Sequence, residues 1–193
     1  MTSEGSNTTA ITLRQPTKDD GFRLHQLVAE CPPLDPNSIY CNLLQCSHFA
    51  DTAVAAEKDG ELVGFISGYR LPKQPETLFV WQVAVHEKGR GQGLAKRMLK
   101  EIVGRESCRE VTHLETTITG DNAASWALFR SFARDLGAEL SYHEHFERAR
   151  HFGGQPVDLA SRNIGRIAQN QVIKPGCHLR IRKIPDDKVG TGG

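Results

Sequence analysis

The chain has 193 residues, 38% of them hydrophobic, with a formal net charge of +1 at pH 7. That length and composition predict one globular domain, and the near-neutral charge gives no electrostatic basis for holding a nucleic acid or an anionic membrane. No apolar run nears the ~18 residues of a membrane span, the start lacks a signal-peptide layout, and Cys31, Cys41, Cys46, Cys108 and Cys177 form no C-x-x-C pair, so a metal-free protein of the reducing cytoplasm is expected.

Residues 1–10 are small and polar and are expected to be disordered. Ile11 to Gln15 reads as a strand ending at Pro16. Thr17 with Asp20 is a capping-box pattern, and the helix behind it places Leu24, Leu27, Val28 and Cys31 on one face until Pro32-Pro33 stops it. Asn37 or Ser38 caps a second helix with Ile39, Tyr40, Leu43 and Leu44 as its apolar positions. Thr52 to Lys58 and Glu61 to Tyr69 are strands joined at Asp59-Gly60, a strong hairpin signal. Pro72 to Pro75 is a loop.

Leu78 to Val103 is the centre of the chain. Phe79, Val80, Trp81, Val83 and Val85 favour a pleated strand. The segment Lys88-Gly89-Arg90-Gly91-Gln92-Gly93 interrupts it. Leu94, Ala95, Met98, Leu99, Ile102 and Val103 then recur at helical spacing. A glycine loop opening a helix presents unpaired backbone N–H groups and suits a pyrophosphate. G-x-G-x-G is not the dinucleotide spacing G-x-G-x-x-G, and no Walker lysine follows. A glycine triplet alone reads first as a tight strand-to-helix connection. Val111 to Thr117 reads as a further strand. Thr119 to Asn122 starts a helix with Trp126, Leu128, Phe129, Phe132 and Leu136 as apolar positions, and Gly137 closes it. Ala138 to Phe146 alternates as a further strand.

The flanks decide how the loop is read. Gln82-Val83-Ala84-Val85, followed by Arg90-Gly91-Gln92-Gly93-Leu94-Ala95, resembles motif A of the GNAT N-acetyltransferases, with Lys88 where that motif has Gln or Arg. The resemblance implies the GNAT acyl-coenzyme A N-acyltransferase fold, an α/β (α+β) architecture with a mixed twisted central sheet flanked by helices. It also implies acetyl-coenzyme A as co-substrate. Val83, Ala84 and Val85 would meet its pantetheine arm, with the Val83 amide as oxyanion donor. The loop Lys88, Gly89, Arg90, Gly91, Gln92 and Gly93, with Leu94 and Ala95, would cradle its pyrophosphate. Asn122 and Ser125 would contact the arm, and a helix cap at Asn122 is compatible with that.

Further segments narrow the likeness: Cys31-Pro-Pro-Leu-Asp35-x-Asn37-Ser38-x-Tyr40, Phe79 to Val85, Glu115 to Ser125, and Tyr142-x-x-x-Phe146 to His151-Phe152-Gly153. Over Ile11 to Gln155 the chain is similar to the L-2,4-diaminobutyrate acetyltransferases, which make the acetylated precursor of the osmolyte ectoine. The family is expected to act as a homodimer. Its pattern implies that Asp35, Tyr40 and Trp81 bind the diamine, although by position alone Trp81 reads as core, Asp35 as a turn residue and Tyr40 as packing. Glu115 is the candidate proton acceptor, acting directly or through water, and is equally a solvated strand position. Many GNAT enzymes carry a tyrosine in the helix after Asn122 as leaving-group acid; Phe129 and Phe132 stand there instead.

After Gln155 the text departs from the family. Residues 156–193 read as an atypical tail, rich in Arg and Lys, with low order expected from about Pro156. The departure predicts a sheet without its last strand and an exposed edge. Leu179-Arg180-Ile181-Arg182 alternates and can substitute, with cations that oppose a diammonium substrate, so intact cofactor binding with weak or absent transfer to diaminobutyrate is expected. Rival readings are a GNAT enzyme for another small amine, an acyl-coenzyme A sensor without catalysis and, more distantly, an oxidoreductase.

Overall fold

The computed structural model describes residues 10–119, 122–144, 150 and 176–182. The expectations for residues 1–9, Phe146, the His151-Phe152-Gly153 segment and most of the tail lie outside them. The elements are β1 (Thr12–Arg14), α1 (Gly21–Ala29), α2 (Ile39–Ser47), β2 (Val54–Lys58), β3 (Glu61–Leu71), β4 (Gln74–Val85), α3 (Leu94–Val103), β5 (His113–Thr119), α4 (Ala123–Asp135), β6 (Glu139–Glu144) and β7 (Gly176–Arg182). One seven-stranded sheet runs in the order β1-β2-β3-β4-β5-β7-β6. It is antiparallel except where β4 lies parallel to β5.

Local chemistry explains most boundaries. The Thr17 N–H donates to Asp20 Oδ2 at 2.9 Å and completes the capping box before α1. Asp59 and Gly60 both take positive φ, 52° and 78°, as a two-residue hairpin of primed type requires. Ser38 Oγ caps α2 by accepting from the Cys41 N–H. The connection between β3 and β4 is shorter than read, because Gln74 and Pro75 already belong to β4.

Helices cover both faces. On one, Leu94, Met98, Leu99 and Ile102 of α3 and Phe129 and Phe132 of α4 bury against Val54, Ile66, Leu78, Val80 and Leu114. On the other, Leu24, Leu27 and Val28 of α1 and Cys46 of α2 bury against Ala55, Phe65 and Ala84. The second helix turns a different face inward from the one its apolar residues suggest. Asn42, Gln45 and Cys46 are buried, and Ile39, Tyr40 and Leu43 are exposed. The Asn42 amide is held by Pro36 O of the preceding loop at 3.2 Å and by His25 Nδ1 of α1 at 3.3 Å.

Two irregularities in β4 shape the site. Ser67 pairs with Gln82 and Gly68 with Val80, so Trp81 is an extra residue, a β-bulge. Side chains alternate with a period of two along a regular strand, so Val80 and Val83 would face opposite sides. The bulge restores them to one side, and Leu78, Val80, Val83 and Val85 all meet the α3–α4 core. The β4–β5 ladder runs from Thr77↔His113 to Val80↔Thr116 and stops at the bulge. Beyond it the two strands diverge, and Trp81 to Val85 have no partner on that side among the described residues.

The tail contributes a strand. Leu179 to Arg182 lie within β7, which pairs with β5 from His113↔Arg182 to Thr119↔Gly176 and with β6 from Glu139↔Arg182 to Glu144↔Cys177. Leu179 and Ile181 are buried in the larger core. The expected loss of the last strand and the expected low order therefore do not hold for Gly176–Arg182; the alternation of apolar and charged residues is enough to fill the place beside β5. Among the described residues no helix is long and apolar enough to cross a membrane, and no group of three or more His, Cys, Asp or Glu is placed to hold a metal.

Candidate active site

Divergence of β4 from β5 opens the sheet beside α4 and the glycine loop. A cleft of about 620 Å³ runs there, lined by Val83 and Val85 of β4, by Gly89, Arg90, Gly91 and Gly93 of the loop, by Leu94, Ala95 and Lys96 of α3, and by one stripe of α4. That stripe is Ser125, Leu128 and Ser131, spaced three apart behind the cap residue Asn122, as a single helix face must be. Asn122 Oδ1 accepts from the Ser125 N–H at 3.0 Å. The cap uses the oxygen and leaves the side-chain NH₂ for the cleft.

Gly91 and Gly93 have φ of 74° and 64°, and a Cβ on either would stand in open space. Their backbone therefore borders the cleft without a side chain, in a conformation that glycine adopts without strain. Gly89 differs. It is buried, and a Cβ there would come within 2.8 Å of Leu94 Cδ2, so its role is close packing under the loop. Arg90 is the loop cation that lines the cleft, with Nε donating to Val85 O at 3.2 Å. Cys31 also lines it, and burial pushes its thiol above the ordinary value. It is therefore a neutral wall residue rather than a thiolate nucleophile.

A second cavity of about 180 Å³ adjoins the first. Leu34, Val83, Asn122 and Ser125 line both. The smaller cavity adds Asp35 and Asn37 from the loop before α2, Trp81 and Gln82 from the bulge, Thr116 to Ile118 from β5, and Phe129 from α4. Asp35 Oδ1 accepts from the Asn37 N–H at 3.0 Å, and Asn37 sits at φ 57°. Gln82 Nε2 donates to Asp35 O at 2.8 Å. Trp81 is 44% exposed and packs edge-on to Tyr69. A carboxylate, an aromatic face and amide groups thus converge on a space that can hold a small ammonium compound.

The remaining sequence-predicted residues are placed differently. Tyr40 is 70% exposed and lines neither cavity. Ala84 is buried in the α1 core and lines neither cavity. Lys88 is ion-paired with Glu61 on the surface, and Gln92 Nε2 donates to Lys88 O at 3.3 Å; neither lines the cleft. Glu115 is 5% exposed and its Oε1 lies 3.4 Å from Arg180 Nε across the β5–β7 ladder. It lines neither cavity, but Thr117, two residues along the same face of β5, lines the smaller one.

Residues 22–133 match the acetyltransferase (GNAT) family. The chain belongs to that family. It is 58% identical over 145 residues to the L-2,4-diaminobutyric acid acetyltransferase of Methylotuvimicrobium alcaliphilum, covering 75% of this chain and 84% of that protein. To the enzyme of the same name from Halomonas elongata it is 49% identical over 171 residues, 87% of this chain and 88% of the relative. A solved structure of diaminobutyrate acetyltransferase from Paenibacillus lautus, in complex with its substrate L-2,4-diaminobutyric acid and coenzyme A, superposes with a TM-score of 0.76 at 32% identity, covering 91% of this chain and 96% of that one.

Within this GNAT frame, the sequence reading missed Leu34, Gln82, Lys96 and Ser131. The i, i+3 stripe from Asn122 pointed to Ser131. The odd step from Val80 to Val83 pointed to the bulge that brings Gln82 to the pocket. Nothing local signals Leu34, which a Pro-rich loop carries over the sheet.

Proposed function

We propose that this chain transfers the acetyl group of acetyl-coenzyme A to the 4-amino group of L-2,4-diaminobutyrate, giving N4-acetyl-L-2,4-diaminobutyrate, the precursor of ectoine. The observation that carries the reading is the shared wall of Leu34, Val83, Asn122 and Ser125 between a long cleft suited to the cofactor and a small carboxylate-bearing pocket suited to the acceptor. Acetyl transfer needs the thioester and the amine at attack distance, and a shared wall supplies that.

The thioester would lie along the unpaired edge of β4, with pantetheine beside Val83 and Val85 and the pyrophosphate on the amides of Gly91 and Gly93 with Arg90. Asp35 would pair with the amino group that is not acetylated, and Trp81 would offer its π face to an ammonium. The reacting amine must first lose its proton, because a free alkylammonium has a pKa of roughly 10. Glu115 would accept that proton through water at the Thr117 end of the pocket. The neutral nitrogen then attacks the carbonyl carbon, a C–N bond forms, and the Val83 N–H stabilises the oxyanion. The attacking nitrogen gives its second proton to water, and the C–S bond breaks as the tetrahedral intermediate collapses. Coenzyme A departs as thiolate, since Phe129 has no proton to give.

The acceptor assignment is tested by incubating purified protein with acetyl-coenzyme A and 2,4-diaminobutyrate, following thiol release and reading the product's regiochemistry by NMR. Acetylation at N4 is expected. Faster release with a polyamine or another small amine would replace the acceptor assignment. The enzyme is proposed to work in the cytoplasm under osmotic stress and as a homodimer. The exposed apolar residues Phe22, Ile39 and Leu43 of α1 and α2 support an interface; a monomeric mass by light scattering would remove it.

A further inference from the structure

The cofactor cleft continues past the glycine loop to side chains that the transfer step does not use. Lys96 of α3 and Ser131 of α4 line this end. Lys96 Nζ donates to Ser131 Oγ at 3.0 Å and stands 3.2 Å from Asp135 Oδ2. Lys100, one helical turn further along α3, places its Nζ 3.0 Å from the same oxygen. Two ammonium groups thus share one carboxylate, and the cluster keeps a net positive charge at the end of a cleft already assigned to a polyanion.

Coenzyme A carries two separate phosphate groups. The backbone N–H groups at Gly91 and Gly93 suit the pyrophosphate, which can approach main chain closely. The phosphomonoester on the ribose lies apart from it and is a dianion at neutral pH, so it calls for a side-chain cation. We propose that Lys96 and Ser131 hold the 3′-phosphate of coenzyme A and make the enzyme select the phosphorylated cofactor. The inference rests on the acetyl-coenzyme A reading above.

Three features favour this cluster over Arg90. Arg90 is already engaged with Val85 O, beside the loop. Ser131 accepts from Lys96, which leaves its own hydroxyl proton to donate to a phosphate oxygen. Lys100 stays on Asp135 when Lys96 turns to the ligand, so the carboxylate remains paired and its repulsion of the phosphate is reduced. An ammonium on a flexible stem can make that turn without moving the helix.

The experiment is calorimetric titration of the full chain with coenzyme A and with 3′-dephospho-coenzyme A, for the parent, Lys96→Ala, Ser131→Ala and Arg90→Ala. The parent should prefer coenzyme A by about tenfold or more, as a charge-assisted pair predicts. Lys96→Ala should remove most of that preference by weakening coenzyme A alone. Ser131→Ala should do the same to a smaller degree, and it deletes only one hydroxyl if Lys96→Ala melts early. Arg90→Ala should weaken both ligands alike. Equal loss of both ligands in Lys96→Ala, or loss of the preference in Arg90→Ala alone, would overturn the assignment. A parent that binds coenzyme A without discrimination overturns this inference and spares the proposed function, whereas a parent that binds neither ligand overturns both.

Discussion

The side-chain NH₂ of Gln82 donates to the backbone carbonyl of Asp35 at 2.8 Å. This bond joins the strand proposed to carry the cofactor to the loop whose Asp35 is proposed to pair with the acceptor. Gln82 is in reach only because the bulge at Trp81 shifts every following side chain to the other face of β4. The outer end of β4 and the Asp35 loop are thereby held in one geometry.

Asp35→Ala should raise KM for 2,4-diaminobutyrate by about tenfold or more, the loss expected for a charged hydrogen bond, and leave KM for acetyl-coenzyme A within about twofold. Gln82→Ala should move the same parameter in the same direction by loosening the loop. Steady-state kinetics with each substrate varied in turn decides this. A matching rise for the cofactor would show that the acceptor pocket lies elsewhere.

Gly91→Ala should raise KM for acetyl-coenzyme A while kcat at saturation changes little. A Cβ at this position meets no protein atom, so any packing cost is absent; the positive φ costs about 1 kcal/mol for an L residue. Gly89→Ala should instead lower the melting temperature, because its Cβ has Leu94 in the way. Thermal melting beside cofactor titration separates the two glycines.

Glu115→Gln should lower kcat by roughly 100-fold at neutral pH, the usual scale for a general base. The deficit should shrink as pH rises toward the amine's own pKa of roughly 10, where the free base needs no help. A parallel pair of pH–rate profiles would instead assign Glu115 a packing role with Arg180.

Acid stability should depend on Asp20. The Arg14 guanidinium holds its carboxyl well below the ordinary 3.8, at about 2, with the Thr17 N–H adding to the effect. The group is charged in the folded state over a range where the unfolded chain binds a proton, so its stabilisation is complete above about pH 4 and is lost as pH falls through about 2. Asp20→Asn should remove about 2 kcal/mol near neutral pH and flatten the acid limb of the stability curve. Urea unfolding across that pH range measures it.

Truncation after Gln155 should abolish cooperative unfolding, because it removes β7 from between β5 and β6 together with buried Leu179 and Ile181. A truncated chain with an unchanged melting curve would contradict the sheet order. The position of Arg180 also revises the expected conflict with a diammonium substrate: its charge is met by Glu115 at 3.4 Å.

Much of this was legible where local chemistry decides structure. Thr17 and Asp20, Asp59-Gly60 and the period of Leu94, Met98, Leu99 and Ile102 each carry their own reason to turn, cap or bury. The motif residues Val83, Val85, Gly91, Gly93, Asn122 and Ser125 come together around one cleft. What failed depended on partners far away in sequence. Asn42 faces inward from α2 where His25 of α1 meets it, and no periodicity reports that. Lys88 occupies a motif position, yet Glu61 on β3 draws it off to the surface. The alternation of Leu179 and Ile181 was visible, but their place beside β5 follows from the sheet alone.

The order of strands at that end of the sheet sets an order of events during synthesis. β6 leaves the ribosome before β7, although it sits outside it. Until β7 arrives, β5 has an open hydrogen-bonding edge, and β6, which among the described residues bonds only to β7, has no ladder to join. Pairing of this kind is slow because it closes a long stretch of chain. The nascent protein therefore passes through a stage in which the half that binds cofactor can assemble while the far side of the sheet is open to other chains, and expression at lower temperature or with chaperones should raise its soluble yield.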